Sequence, residues 1–440
     1  MTAESPALAD VLRHAATAWQ SFRNGRSLDR ALDAALESRS DLRPPVQDAL
    51  YTAVRHLVLS DRIIERLAPR RPTDEVGALL SVSLALLITQ RHAPHTVVDQ
   101  AVDAAQSKLQ TRAAAGFINA LLRNFLRQRE SLLVELQRDP TVRYNLPQWW
   151  IGRLQREYAE DWTRIAEAQQ QMPPMVLRVN TTRMSSDDYL ARLAEGGIEA
   201  TRVGAQAIWL HRARPVSEIP GFIDGDVSVQ DAGAQLAAPW LEAAPGMRVF
   251  DACAAPGGKT LHLAELGITD LTALEIDRER AARISDNLQR VGFAARIVVG
   301  DAVHSGSWRD VDDAPFDRIL VDAPCTASGI VRRHPDIPWL RRPSDVAQLT
   351  TLQRDLLDAL WPLLTVGGRL LYVVCSVFPE EGREQIARFI ERQAARQLPL
   401  PAAQLLPTQV IAPATAHAWH GSALPTLHDG FFFALLEKTG

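Results

Sequence analysis

The sequence predicts a multidomain chain with an all-α N-terminal domain, a small α+β module and a doubly wound α/β C-terminal domain. Its 440 residues, at about 150 residues per domain, correspond to roughly three domains. Alanine, leucine and arginine dominate up to about Arg138 with helical periodicity, whereas apolar runs alternate regularly with helical stretches beyond Gln235. These patterns place the domains at residues 1–140, 145–234 and 235–440.

The N-terminal segment is predicted to bury two helical faces. One face repeats every fourth residue from Phe117 to Phe125, and the other has helical spacing at Val98, Ala101, Val102, Ala105 and Leu109. Arg123 and Arg127 lie four residues apart and therefore point the same way. This basic face is either an ordinary solvated surface or a surface that contacts phosphates.

A junction and a second pattern follow this helical segment. The prolines at 140 and 147 disfavour a continuing helix, so a new unit is expected after them. Residues 176–180 and 207–210 are typical of strands, and residues 186–195 are typical of a helix. We therefore expect a small α+β module before the C-terminal domain.

Composition excludes several classes of protein. Charged residues make up 23% and hydrophobic residues 46%, as in folded proteins, and no apolar run reaches the ~18 residues of a membrane helix. Cys253, Cys325 and Cys375 lack a C-x-x-C spacing, which argues against a disulfide framework and a zinc site, so no metal is expected. The N-terminus resembles no secretory signal, so a cytoplasmic chain without a membrane partner is expected.

The predicted strands of the C-terminal domain mark a ligand site. They lie at 248–251, 271–276, 296–299, 318–322 and 369–374, and a polar or thiol residue stands at each end: Asp251, Asp277, Asp301, Asp322 and Cys375. Ligands of open α/β sheets bind beyond the carboxyl ends of the strands.

The net charge of −4 means that a nucleic acid would have to be held by local basic patches.

A glycine turn from Asp251 to Thr260 joins the first of these strands to a helix. A phosphate-binding P-loop would need glycine at Cys253, and the pair Gly257-Gly258 does not fit the dinucleotide fingerprint. A cofactor whose anion is a carboxylate remains, such as S-adenosyl-L-methionine, with Lys259 as a supporting charge. The alternative is a turn that binds no ligand.

Two further acids are candidates for the same cofactor. The second strand leads to Glu275-Ile276-Asp277, where an acid typically accepts hydrogen bonds from ribose hydroxyls, and either Asp277 or Glu275 could do so. The Asp301 carboxylate, after the third strand, could take the adenine amino group. The assignment of Asp301 depends only on its position in this series of strands.

Two thiols are expected to reach one cleft. The fourth strand runs into Asp322-Ala323-Pro324-Cys325 and the fifth into Cys375-Ser376, and these strands can be neighbours about 4.8 Å apart. A single cysteine is most often a small buried hydrophobe, and Cys253 within the glycine turn contributes through its backbone. Methylation of a cytosine at carbon 5 would use such groups, because a thiolate must add to carbon 6 before carbon 5 becomes nucleophilic. The residues alone do not choose which thiol attacks.

The chain resembles the Sun/Fmu-type bacterial 16S ribosomal RNA cytosine-5 methyltransferases over nearly its whole length. The resemblance is carried by residues 251–260, 275–277, 322–337 and 374–381, and the first domain is similar to the Nus factor B type of RNA-binding domain through residues 98–102 and 116–123. It implies a class I S-adenosylmethionine-dependent fold and a covalent link between cysteine and carbon 6 of the cytosine.

The resemblance also implies roles for individual residues. Cys375 would be the nucleophile and Cys325 would help to release the product. Asp322, at the end of the fourth strand, is expected from the chemistry of the reaction to act as the carboxylate on the ring nitrogen. The expected cofactor-binding residues are Cys253, Ala254, Ala255, Pro256, Gly257, Gly258, Lys259, Asp277, Asp301 and Asp322. The methyl donor would leave as S-adenosyl-L-homocysteine, and the partner would be 16S rRNA, free or in early small-subunit assembly, bound by a monomer.

Some features leave other interpretations open. Val374 stands where RNA enzymes of this type usually have threonine. The basic segment Arg332-Arg333-His334-Pro335, with Arg341-Arg342, is either a solvated loop or a grip on RNA phosphates. Two other functions remain open. The chain could be a non-catalytic ribosome-assembly factor, or it could be a DNA cytosine methyltransferase. The helical N-terminal domain disfavours a DNA methyltransferase.

Overall fold

The computed structural model describes residues 6–37, 39–309, 313–410 and 420–440. The chain forms two compact units, one comprising Met1–Trp162 with His334–Arg342 and the other Thr163–Arg333 with Pro343–Gly440. The three domain ranges expected from the sequence stay a prediction. Within the described ranges, no helix is long and apolar enough to cross a membrane.

The helices, in chain order, are α1 (Leu8–Arg23), α2 (Leu28–Leu36), α3 (Arg43–Arg55), α4 (Leu57–Leu67), α5 (Asp74–Thr89), α6 (Pro94–Gln106), α7 (Leu109–Arg112), α8 (Ala115–Leu136), α9 (Pro140–Arg143), α10 (Gln148–Glu157), α11 (Trp162–Gln170), α12 (Ser186–Glu195), α13 (Ala237–Trp240), α14 (Gly258–Glu265), α15 (Arg278–Val291), α16 (Ile337–Leu340), α17 (Pro343–Leu360) and α18 (Arg383–Arg392).

The strands are β1 (Met175–Val179), β2 (Ala200–Arg202), β3 (Ala207–Leu210), β4 (Val227–Val229), β5 (Arg248–Asp251), β6 (Asp270–Glu275), β7 (Arg296–Val299), β8 (Phe316–Asp322), β9 (Leu364–Val374), β10 (Ala395–Leu398), β11 (Gln404–Leu405) and β12 (Phe431–Lys438).

The first unit is built around α5. All residues from Ala78 to Leu87 are buried, because this helix is apolar on every face and packs against α1, α3, α4, α6 and α8. The all-α prediction for the N-terminal part is confirmed. The expected burial of Leu109 is wrong: α6 ends at Gln106, so Leu109 begins the separate helix α7 and is 81% exposed.

The chain returns to the first unit at His334–Arg342. The Asp336 carboxylate accepts the backbone N–H of Leu28 at 3.1 Å, which supplies the first turn of α2 with an anion. Trp339 and Leu340 pack against the apolar core of the helices. These three residues are therefore structural parts of the helical unit.

A small antiparallel sheet opens the second unit, with strand order β2-β3-β1-β4. Helix α12 begins after Ser185, whose hydroxyl accepts the Asp188 N–H at 3.1 Å. Leu177, Tyr189 and Ile208 meet in the core of this module. The predicted α+β module is confirmed, including its helix at residues 186–195.

The large sheet has the order β10-β12-β9-β8-β5-β6-β7, and β11 pairs with β12. Strands β9, β8, β5, β6 and β7 are parallel, which confirms the doubly wound fold. The sheet as a whole is mixed, because β12 runs antiparallel between β9 and β10. The sequence-based prediction of a parallel sheet therefore missed the run from Phe431 to Leu436, which forms most of β12.

Candidate active site

Adjacent strands bring the two predicted thiols together. β8 and β9 are parallel neighbours, with Asp322 paired in register with Val373. Cys325 lies three residues after Asp322 and Cys375 two residues after Val373, and their sulfur atoms lie 3.4 Å apart. Cys325 is buried and Cys375 is half-buried, so of these two cysteines Cys375 is the more accessible to solvent. The structure thus supplies a thiol pair at the carboxyl edge of the sheet.

The surroundings of Cys325 favour its protonated form. The hydrogen bond with Cys375 and burial together raise the pKa of the Cys325 thiol well above its ordinary value. A thiol that keeps its proton can donate it in a hydrogen bond to the neighbouring sulfur. Either sulfur atom can be the donor of the S–H···S contact.

A charged pair stands beside the thiols. The Lys259 ammonium donates to the Asp322 carboxylate at 2.6 Å, joining the glycine turn after β5 to the end of β8. Burial opposes the charge on Lys259, but the Asp322 carboxylate outweighs burial and raises the pKa of the ammonium. Lys259 was expected to support a cofactor carboxylate, and here it is held by Asp322.

The glycine turn is fixed by hydrogen bonds from two sides, β6 and α15. The Ala254 N–H donates to the Leu274 carbonyl at 2.9 Å, and the Pro256 carbonyl accepts from Asn287 at 2.9 Å. Gly257 has φ +96°, and a Cβ there would lie 3.0 Å from the backbone of Ile284. Only glycine suits that position, because it combines a left-handed conformation with close packing against α15.

Asp251 is the buried acid at the start of this turn. Its Oδ2 accepts the Thr260 hydroxyl at 2.6 Å, whereas its Oδ1 has no hydrogen-bond partner among the described residues. Burial raises the pKa of the Asp251 carboxyl to about 7. An orphaned carboxylate oxygen beside a glycine turn fits a ligand that carries an ammonium group, as an amino-acid-derived cofactor does.

This buried carboxyl predicts a pH dependence of stability. The pKa of this carboxyl rises from 3.8 in the unfolded chain to about 7 in the folded chain. The protonated carboxyl therefore contributes its full share to the free energy of unfolding below pH 3.8, and this share is lost as the pH rises through about 7. Between about pH 5 and about pH 8, Asp251→Asn should therefore lose less thermal stability than the wild type. Asp270→Asn, at an exposed aspartate of β6, is the matched control and should follow the wild-type profile. Parallel profiles for all three chains would contradict the prediction.

The structure separates the two candidates for the ribose. Glu275 is buried, and its carboxylate accepts the N–H groups of Ala255 at 3.3 Å and Asp277 at 3.1 Å, so it holds the turn. Asp277 is exposed after β6, and its Oδ1 accepts two backbone N–H groups at the start of α15. Asp277 is therefore the more accessible of these acids.

The other predicted cofactor residues lie in different surroundings. Asp301 is partly exposed after β7, and its carboxylate contacts His304 at 3.0 Å. Burial raises the pKa of the Cys253 thiol, so the thiol stays protonated, which fits a contact with the cofactor through the Cys253 backbone only.

The described residues contain no cluster of three histidine, cysteine, aspartate or glutamate side chains suited to a metal ion.

The predicted grip on phosphates is wrong for Arg332. Its side chain is 1% exposed and pairs with the fully buried Asp429. Arg333 binds the same carboxylate and also reaches Asp231 at 2.9 Å. Two buried carboxylates need such counter-charges, so these arginines hold the loop after Cys325 in place instead of facing solvent.

Sequence reasoning missed Glu381. This residue was noticed only as part of the run after Cys375, without a role, yet its side chain is fully buried and accepts hydrogen bonds from Thr326 and Ser376. The sequence offers no local signal for this burial, because Glu380 precedes the residue and Arg383 and Glu384 follow it closely.

The sheet order, the glycine turn after β5 and the acids at the ends of the neighbouring strands define an α/β methyltransferase domain. A family model described as 16S rRNA methyltransferase RsmB/F matches residues 238–437. The chain is 42% identical to the Ribosomal RNA small subunit methyltransferase B of Pseudomonas putida over 94% of both chains. It belongs to the RsmB/F family of 16S rRNA methyltransferases.

Further comparisons cover the remaining parts. The protein of the same name from Escherichia coli K12 is 39% identical over 95% of this chain and 96% of its own length. A NusB family model matches residues 7–127, and an RsmF/B-like ferredoxin-like domain matches residues 146–217. The crystal structure of a methyltransferase homologue from Pyrococcus horikoshii has a TM-score of 0.56 and 28% identity, covering 68% of this chain and 97% of that one. The family and the NusB-like domain inferred from the sequence are thereby confirmed.

Proposed function

We propose that this chain transfers a methyl group from S-adenosyl-L-methionine to carbon 5 of a cytosine in 16S rRNA, through a transient covalent bond between Cys375 and carbon 6. The observation that carries the proposal is the pair of sulfur atoms 3.4 Å apart at the ends of β8 and β9. Membership in the RsmB/F family supports the substrate class, and the thiol pair supports the position that is methylated.

Cys375 acts first. Its sulfur forms a bond to carbon 6 while the thiol proton passes to the ring nitrogen, and the displaced electrons of the C5–C6 double bond make carbon 5 nucleophilic. The bound cofactor supplies an electrophilic methyl group to carbon 5. Asp322, held by Lys259, would accept a hydrogen bond from the protonated ring nitrogen while this charge develops.

Release of the product requires three further changes. Carbon 5 loses its proton, the C5–C6 double bond forms again, and the bond between carbon 6 and the Cys375 sulfur breaks. Cys325 lies 3.4 Å from that sulfur, so we assign it to this stage: its thiol gives its proton to the departing Cys375 sulfur, and the resulting thiolate takes the proton from carbon 5. The methylated base then leaves the site, and Cys375 is regenerated.

The cofactor would lie against the turn after β5. The backbone from Cys253 to Lys259 would hold its amino-acid part near the unpaired oxygen of Asp251. Asp277 would bind the ribose and Asp301 the adenine amino group. The helical domain and the small sheet would bind rRNA, free or in early small-subunit assembly, and the chain would act as a monomer.

Labelled methyl transfer tests this function. The purified chain, incubated with 16S rRNA and methyl-labelled cofactor, should produce 5-methylcytosine at a defined position. Duplex DNA is the control substrate and should stay unlabelled. Labelling at another atom of the RNA, or cofactor binding without any transfer, would contradict the proposal.

A further inference from the structure

A single buried carboxylate connects the two residues that follow the thiols. Thr326 comes directly after Cys325, and Ser376 directly after Cys375. The Thr326 N–H donates to Oε1 of Glu381 at 2.7 Å, and the Thr326 hydroxyl donates to Oε2 at 2.5 Å. The Ser376 hydroxyl donates to the same Oε2 at 2.6 Å. One oxygen atom therefore joins the loops that end β8 and β9.

Further contacts fix the position of this carboxylate. The Gln353 amide donates to Oε1 of Glu381 at 3.2 Å and also to the carbonyl of Pro324 at 2.9 Å. The Tyr372 hydroxyl donates to the Glu381 carbonyl at 2.7 Å. Burial raises the pKa of the Glu381 carboxyl, while the donors from Ser376 and Thr326 oppose that shift. The backbone of Glu381 is thus held from β9 through Tyr372, and its carboxylate is held from α17 through Gln353.

We propose that Glu381 is a positioning residue that sets the separation of the two sulfur atoms by holding Thr326 and Ser376 on one carboxylate. Each of these residues is one peptide unit from a cysteine, so loss of the shared acceptor frees the two residues next to the thiols. The contact between the Ser328 and Ser376 hydroxyls at 2.8 Å and the bond from the Gly329 N–H to the Cys375 carbonyl at 2.9 Å still join the loops further from the carboxylate. The catalytic consequence rests on the proposed function, whereas the thiol separation does not. Both can be measured separately.

Oxidation by diamide measures the thiol separation without any methyl transfer. Diamide takes the two hydrogen atoms of a thiol pair while a sulfur–sulfur bond forms, and mass spectrometry identifies the Cys325–Cys375 peptide. Glu381→Gln keeps the size of the side chain but replaces one acceptor oxygen by a donor group. We expect it to slow formation of this disulfide about tenfold, because the sulfur atoms are no longer held together. An unchanged rate would overturn the proposal.

Control variants distinguish a specific loss of thiol positioning from an unspecific destabilisation of the fold. Glu384→Gln makes the same chemical change at an exposed side chain three residues away and should oxidise at the wild-type rate. Thermal unfolding reports whether each variant is folded. If Glu381→Gln does not fold, Thr326→Val and Ser376→Ala decide the question: slower oxidation in both supports the proposal, and wild-type rates in both overturn it.

Steady-state kinetics then test the catalytic consequence. Misplacement of the reacting groups should lower kcat of Glu381→Gln about 10- to 100-fold while KM for RNA and for the cofactor stays within about twofold. A rise in KM with unchanged kcat would contradict a positioning role. If the wild type transfers no methyl group but the oxidation rates differ as expected, the proposed function fails and the positioning role stands.

Discussion

Replacing Cys375 with alanine is expected to lower kcat by at least about 10⁴-fold, because it removes the thiol assigned to form the covalent bond to carbon 6. Binding of RNA and cofactor should change little, since the substitution removes one half-buried sulfur atom and leaves β9 intact. Transfer of labelled methyl to 16S rRNA under single-turnover conditions measures the loss. Turnover near the wild-type rate would refute the role of Cys375 as nucleophile.

The matching variant at the neighbouring sulfur should behave differently. Cys325→Ala leaves the nucleophile in place but removes the thiol 3.4 Å from it, so the covalent product should accumulate instead of resolving. We expect a protein–RNA adduct that survives a denaturing gel. The double variant Cys325→Ala with Cys375→Ala is the internal control and should give no adduct. An adduct that forms in Cys375→Ala and is absent from Cys325→Ala would reverse the two assignments.

The thiol site could be predicted from the sequence because its parts follow local rules. Parallel strands end at one edge of a sheet, so Asp322 and Cys375 were expected near each other once β8 and β9 were recognised as strands. The glycine turn was equally visible, since Gly257 adopts a left-handed conformation for which glycine is favoured. The roles of the two cysteines came from resemblance, because both residues end equivalent strands.

Other features depend on contacts between distant parts of the chain and could not be predicted. The burial of Arg332 follows from its partner Asp429, 97 residues away. The exposure of Leu109 is a local exception, because it follows from where α6 stops. The antiparallel position of β12 is set by pairing with β9 and β10. Glu381 gains its role only when the loops after both thiols meet. Periodicity carries no information on such pairings.

One buried ion pair links the small sheet to the turn that would hold the cofactor. The Arg178 guanidinium on β1 binds the Glu265 carboxylate through two hydrogen bonds, at 3.1 and 2.8 Å, and donates to the Gly258 carbonyl at 2.8 Å. The side chains of Arg178 and Glu265 are 0% and 4% exposed. Water cannot replace either partner at this depth, so loss of one leaves an uncompensated charge.

Arg178→Ala is therefore expected to lower the free energy of unfolding by about 3–5 kcal/mol, as measured by urea or thermal denaturation. Arg202→Ala, in the same small sheet, breaks a pair with Asp187 whose carboxylate is 77% exposed, and it should cost less than about 1 kcal/mol. Arg178→Met combined with Glu265→Leu removes both charges and should recover most of the lost stability. If the single change at Arg178 cost no more than that at Arg202, the buried pair would not hold the glycine turn on the small sheet.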